Sequence, residues 1–273
     1  MIRENANAKI NLFLTVLEKR EDGFHNIKSV MHSVTLADNI TVSAVESETT
    51  HIAVHTDSKE LLSEKDNLCY CSAERYLAHF EKNANVEIHL EKKIPIGAGL
   101  AGGSSDAAAT LRALNKIFGL ASRDELLKIA AEIGSDVPFC LIGGTALCEC
   151  RGEILTPLLP PESRHFVIAI GNERISTPEA YSELDKLYNN GFPQDHDITT
   201  YNIFEEVTRL PEVAKIKELL TKCGAEFTLM SGSGPSAFGA FKDKSMAQNA
   251  RDELIKAGFE AYYAKSASHG EYI

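Results

Sequence analysis

Apolar and polar positions change period several times along this 273-residue chain, and each change predicts an element. Residues 9–17 alternate loosely, 39–45 are rich in β-forming side chains, and 51–56 alternate again, so the opening part of the chain reads as strands. Asp66 stands where it can cap a helix running to about residue 80. Residues 86–90 alternate before a glycine-rich stretch. From Ser105 onward Ala108, Leu111, Leu114 and Phe118 recur at helical spacing, and Gly119 ends the run. Ser122 with Glu125 forms a capping box that opens a further helix, closed by Gly134. The apolar, glycine-punctuated residues 137–147 predict a buried strand.

Prolines at 157, 160 and 161 make residues 157–163 the best domain boundary, which divides the chain into 1–160 and 161–273. Beyond it the pattern runs strand (166–170), helix (178–188), a loose polar stretch, helix (212–222) and strand (226–230). A Gly/Ser turn and a strand (236–241) come next. Ser245 and Gln248 then suggest a capping box for a helix ending at Gly258, before a last strand at 259–264. Interleaved strands and helices in both halves predict an α+β protein of two lobes.

The densest chemical signal lies between 95 and 106, where glycines at 97, 99, 102 and 103 precede Ser104, Ser105 and Asp106. A strand, a glycine-rich loop and a helix N-terminus make an anion site, because the loop backbone approaches closely and the first helical N–H groups lack partners. Gly97, Gly99 and Gly102 match the dinucleotide fingerprint, but the acidic strand end due about 20 residues later would fall inside a helix start at 122–125. A Walker loop needs Lys after its last glycine, and here Ser104 follows Gly103. The partner signatures of protein kinases are absent too.

Composition narrows the partners. With 44% hydrophobic and 25% charged residues the chain is of ordinary globular make-up, and no apolar run approaches the roughly 20 residues of a membrane helix. The N-terminus lacks the pattern of a signal peptide, so a cytoplasmic location is the expectation. A formal net charge of −11 argues against nucleic-acid binding and requires that an anionic substrate be met by local cations. The six cysteines include no Cys-x-x-Cys pair and read as reduced packing residues.

Three segments together resemble the GHMP small-molecule kinases. They are the loop Pro95-Ile96-Gly97-Ala98-Gly99-Leu100-Ala101-Gly102-Gly103-Ser104-Ser105, the turn Met230-Ser231-Gly232-Ser233-Gly234-Pro235-Ser236, and the run Ala8-Lys9-Ile10-Asn11-Leu12 followed by Asp22-Gly23-Phe24-His25. Gly134-Ser135-Asp136-Val137-Pro138 fits as well. The resemblance implies a mixed α/β N-terminal lobe carrying the phosphate loop, a ferredoxin-like C-terminal lobe, and an active site in the cleft between them. It implies ATP as co-substrate with Mg²⁺, the phosphates lying on residues 95 to 105. The implied acceptor is the 2-hydroxyl of a cytidine-diphosphate-linked methylerythritol, in the non-mevalonate isoprenoid route.

In these roles Asp136 accepts the hydroxyl proton and Lys9 is the catalytic lysine. Phe24 stacks on the cytosine, His25 bonds the base edge, Asn11 binds substrate, and Tyr181 supplies a second aromatic face. Asn67 and Lys92 are expected near the adenine, and residues 231–234 behind the phosphate loop. One departure is visible: Cys148-Glu149-Cys150 stands where the family often has a basic residue. A homoserine or mevalonate kinase, a non-catalytic nucleotide-binding relative and a hydride-transferring oxidoreductase are the alternatives. The first pair offers no base to stack on, the second has no use for Asp136, and the third lacks its acidic strand end.

Overall fold

Alternation at the N-terminus extends well beyond the segments that stand out in the sequence, and it builds two long strands. In the computed structural model, which describes residues 1–58, 66–159, 165–173, 175–189, 191–192 and 200–267, these are β1 (Ile2–Lys19) and β2 (His25–Glu46). They pair antiparallel along their length, with register shifts between Asn7 and Lys9 and between Asn11 and Phe13. There follow β3 (His51–Thr56), α1 (Leu68–His79), β4 (Ala84–Glu91), α2 (Gly102–Phe118), α3 (Arg123–Ile133), α4 (Val137–Ile142), β5 (Thr145–Cys150) and β6 (Ile154–Pro157). The second half carries β7 (His165–Ile170), α5 (Thr177–Leu187), β8 (Tyr201–Asn202), a 3₁₀ turn (Ile203–Glu206), α6 (Pro211–Lys222), β9 (Phe227–Met230), β10 (Ser236–Phe241), α7 (Lys244–Lys256) and β11 (Glu260–Lys265).

A seven-stranded sheet runs β3-β4-β2-β1-β8, and β5, paired with β6, occupies the half of β2 that β4 leaves open. Tyr201 and Asn202 return to pair parallel with Phe13 and Leu14, so the second half of the chain completes the first sheet. The other sheet has four strands in the order β11-β7-β10-β9, antiparallel throughout, and its helices come between β7 and β9 and between β10 and β11. This is the β-α-β-β-α-β ferredoxin-like order, and the protein is an α+β protein of the two-lobed kind. Of the proposed boundary, residues 160–163 lie outside the described residues.

Two buried apolar clusters hold these sheets. The larger joins α1–α4 to the first sheet and also takes in core residues of the second sheet and its helices, such as Val167, Ile216 and Leu254. The smaller lies between the sheets, where Ala8, Ile10, Ile94, Ala98 and Leu100 pack with Phe166, Ile168, Leu229 and Phe238. Apolar side chains of the glycine-rich stretch thus anchor it between the two lobes.

Several sequence expectations are corrected. Residues Val137–Ile142 form helix α4 rather than the start of a strand. All six are buried, so the segment shows no periodicity, and Gly143 (φ 64°) and Gly144 (φ 74°) separate it from β5. Asn67 rather than Asp66 caps α1, its Oδ1 accepting the Cys69 N–H at 2.9 Å. Asp243 caps α7 by accepting from Ser245 and Met246, so Ser245 and Gln248 form no capping box. Helix α2 begins at Gly102, ahead of Ser105. The Ser122–Glu125 capping box is present as expected.

Candidate active site

The geometry of the phosphate loop follows from its glycines. Gly97 and Gly99 have φ of 68° and 75°, a region that glycine enters without strain. A Cβ on Gly99 would lie 2.3 Å from the Ser231 carbonyl oxygen, so the loop and the second Gly/Ser turn touch backbone to backbone. That turn supports the loop as expected: Ser231 Oγ donates to the Gly99 carbonyl (3.0 Å) and Ser236 Oγ to that of Ala98 (2.5 Å). Ala101 stands at the N-cap of α2 in the left-handed region (φ 56°), with no side chain able to cap. The first helical bond runs from Ser105 N–H to Ala101 O (2.9 Å), so the N–H groups of Gly102, Gly103 and Ser104 precede the ladder. Uncapped donors at the positive end of a 17-residue helix suit a phosphate.

Beneath the loop, Lys92, Asp38 and Asp106 form a buried cluster. Lys92 Nζ lies 2.5 Å from Asp38 Oδ2 and 2.7 Å from Asp106 Oδ2. Asp38 Oδ1 also accepts the N–H groups of Lys93 and Ile94. The cluster therefore fastens the chain where it leaves β4 to the N-terminal part of α2. Burial raises the Asp106 carboxyl well above the ordinary range, Lys92 opposes this, and Asp38 adds to it. Asp106 Oδ1 is buried and has no hydrogen-bond partner among the described residues. In this arrangement the Lys92 charge is engaged inside the protein and the Asn67 oxygen caps α1.

Lys9, on β1, is 4% exposed. Its backbone N–H donates to the Leu100 carbonyl (3.1 Å), while Nζ donates to Asn11 Oδ1 (2.7 Å) and stands 3.9 Å from Asp136 Oδ2. Asp136 is the N-cap residue of α4, yet its side chain makes no capping bond and points elsewhere. Asn11 is also buried; its Oδ1 accepts the Gly232 N–H (2.9 Å) and its Nδ2 donates to Ser29 Oγ (2.9 Å). Asn11 thus fixes the lysine and ties β1 to the second Gly/Ser turn.

These groups open on a cavity of about 770 Å³ that also holds Phe24, His25 and Tyr181. His25 Nε2 lies 2.7 Å from Asp185 Oδ1, and its ring stacks on Tyr181 at 5.0 Å and 21°. The tautomer that donates Nε2–H to the carboxylate has Nδ1 as its acceptor. Burial pushes Asp185 up, but hydrogen bonds from Lys19 and His25 outweigh it and hold the carboxyl below its usual value. Tyr181 packs edge-on against Phe204, and burial, with Asp136 adding, pushes its hydroxyl up to about 12. Phe24 keeps 53% of its surface exposed. Sequence reasoning missed Asp185; its signal was the i,i+4 spacing from Tyr181 on one helix face. All six cysteines are free thiols, and burial pushes Cys140 and Cys148 up to about 12.

Known proteins are similar to this chain in sequence and fold. The family described as GHMP kinases N terminal domain matches residues 67–144, and GHMP kinases C terminal matches residues 205–261. The 4-diphosphocytidyl-2-C-methyl-D-erythritol kinase of Caldicellulosiruptor saccharolyticus is 40% identical over 266 residues, covering 91% of both chains. The chain belongs to the 4-diphosphocytidyl-2-C-methyl-D-erythritol kinase family. A solved 4-(cytidine 5'-diphospho)-2C-methyl-D-erythritol kinase superposes with a TM-score of 0.83 at 31% identity, covering 98% of this chain and all of the other. A homoserine kinase from Cytophaga hutchinsonii reaches 0.71 at 19% identity over 95% of each, which shows the shared fold alone. As a member of this kinase family the protein is an ATP-dependent small-molecule kinase. Among the described residues no helix is long and apolar enough to cross a membrane.

Proposed function

We propose that the protein transfers the γ-phosphoryl group of ATP to the 2-hydroxyl of 4-diphosphocytidyl-2-C-methyl-D-erythritol, in the cytoplasm, as a step of the non-mevalonate isoprenoid route. One observation carries this reading: Lys9 and Asp136 share a single cavity with the phosphate loop on one side and Phe24, His25 and Tyr181 on the other. We take residues 1–160 as the ATP-binding lobe and 161–273 as the C-terminal lobe.

Phosphoryl transfer needs an aligned hydroxyl, a route for one proton and compensation of developing charge. Asp136 Oδ2 takes the proton. Lys9 Nζ, 3.9 Å away, faces the same oxygen and favours the alkoxide as it forms. The ammonium stays in register because Asn11 holds it. Residues 95–105 receive the triphosphate at the open end of α2. Mg²⁺ takes most of its ligands from phosphate and water, so it needs few protein donors. Ser104 and Asp136 line the cavity and offer oxygens of the right kind, and the ion would neutralise charge on the transferred group. At the other end Phe24 gives the cytosine a stacking face. His25, held by Asp185 and backed by Tyr181, presents Nδ1 to the base amino group.

ADP release measured with ATP, Mg²⁺ and a panel of acceptors tests the assignment. Turnover is expected with the diphosphocytidyl alcohol and not with homoserine or mevalonate. Turnover with either of those and none with the diphosphocytidyl alcohol would overturn it.

A further inference from the structure

Arg151 lines the same cavity but belongs neither to the catalytic pair nor to the phosphate loop. It sits at the tip of the hairpin from β5 to β6, between Cys150, a non-glycine residue at φ 61°, and Gly152 at φ 114°. A Cβ on Gly152 would stand 3.2 Å from the Ser135 carbonyl oxygen, so the tip packs directly on the loop that carries Asp136. From there the guanidinium carbon reaches 5.4 Å from the centroid of the Phe24 ring. The hairpin tip therefore spans the distance between the reacting end of the cavity and its aromatic end.

The other cations of the cavity are committed. Lys9 is bound to Asn11 and faces Asp136, and Lys19 lies 2.5 Å from Asp185. Glu153 and Asp22 are acidic groups that interact with Arg151. Glu153 Oε1 is 3.5 Å from Arg151 Nε, at the outer limit of a hydrogen bond, while the Asp22 carboxylate accepts from Arg20 and from the Phe24 N–H. No bond from either Nη of Arg151 is present among the described residues, and the side chain is 33% exposed. A guanidinium can lie over an aromatic ring by its face and still offer parallel N–H donors along its edge, the geometry that suits phosphate oxygens. In a chain of net charge −11, an anion between base and alcohol needs such a local cation.

We propose that Arg151 determines specificity for a nucleoside diphosphate, holding the outer face of Phe24 and binding the oxygens of the diphosphate that links base to alcohol. This rests on the reading of the acceptor given above. It gives the hairpin tip a role in selecting substrate.

Titration calorimetry of the full chain with cytidine and with CDP, for wild type, Arg151→Gln and Arg151→Lys, tests it. Wild type is expected to bind CDP more tightly than cytidine. Arg151→Gln weakens CDP roughly tenfold or more, as expected for a charge-assisted pair, and leaves cytidine affinity within about threefold. Arg151→Lys recovers part of the CDP affinity. In turnover the loss falls on KM for the diphosphocytidyl alcohol, leaving KM for ATP near the wild-type value. If Arg151→Gln kept the full preference for CDP, the proposal would be overturned. If wild type bound neither cytidine nor CDP, the acceptor reading itself would fail, and the proposal with it.

Discussion

At the scale of single residues, the site depends on side chains whose alternatives are closed off. A buried lysine is costly unless its charge is met, and Lys9 meets Asn11 Oδ1 and the Asp136 carboxylate at once. Asp136→Asn keeps the shape of that contact and removes the base. Its kcat is expected to fall by roughly 10²-fold or more, with ATP binding retained in equilibrium titration. Wild-type turnover by this variant would remove Asp136 from the role. The residue types at positions 9, 11, 24, 25 and 136 were legible because each lies in a short motif. Asp185 was not, since a carboxylate four residues from a tyrosine on a helix is ordinary surface chemistry until His25 is brought against it.

At the scale of elements, the phosphate loop is held from three directions: the second Gly/Ser turn, the apolar contacts between the sheets, and the Lys92 cluster below. Gly99→Ala puts a Cβ 2.3 Å from a backbone oxygen and places alanine at φ 75°. Neither partner is a flexible side chain, so the loop must move. A loss of roughly 2 kcal/mol or more is expected, seen as a Tm lower by about 5 °C, together with a higher KM for ATP. An unchanged Tm would show that the two turns are not in close contact. The loop's anion chemistry was readable from its glycines. Its support was not, because Ser231 and Ser236 lie far along the chain and serve through bonds to Gly99 and Ala98.

At the scale of the whole molecule, the buried cluster couples stability to pH. Lys92, Asp38 and Asp106 bring two carboxylates to one ammonium, and Asp106 answers by binding its proton more tightly than an unfolded carboxyl does. A raised carboxyl value means that the folded state holds a proton the unfolded state has lost. Stability from this group is therefore present at low pH and drains away as pH rises from the unfolded value, about 4, toward the folded one. Asp106→Asn cannot titrate. Its Tm relative to wild type is expected to climb as pH is raised from about 4 to 8, and a falling difference would reverse the assignment.

What the sequence determined by itself is local. Periodicity set most strands and helices, Ser122 with Glu125 marked a helix start, and the glycines at 97 to 103 declared an anion site. These follow from backbone propensities and from hydrogen bonds spanning a few residues. The strand expected at residues 137–147 failed over 137–142 because six buried residues carry no period from which to choose a helix. Only tertiary structure decided that α4 aims Asp136 at Lys9, that Lys92 lies among carboxylates beneath the loop, and that a hairpin tip carries Arg151 onto Phe24. Those contacts join segments remote in the chain, and their energies depend on burial and facing charges that no short stretch of sequence contains.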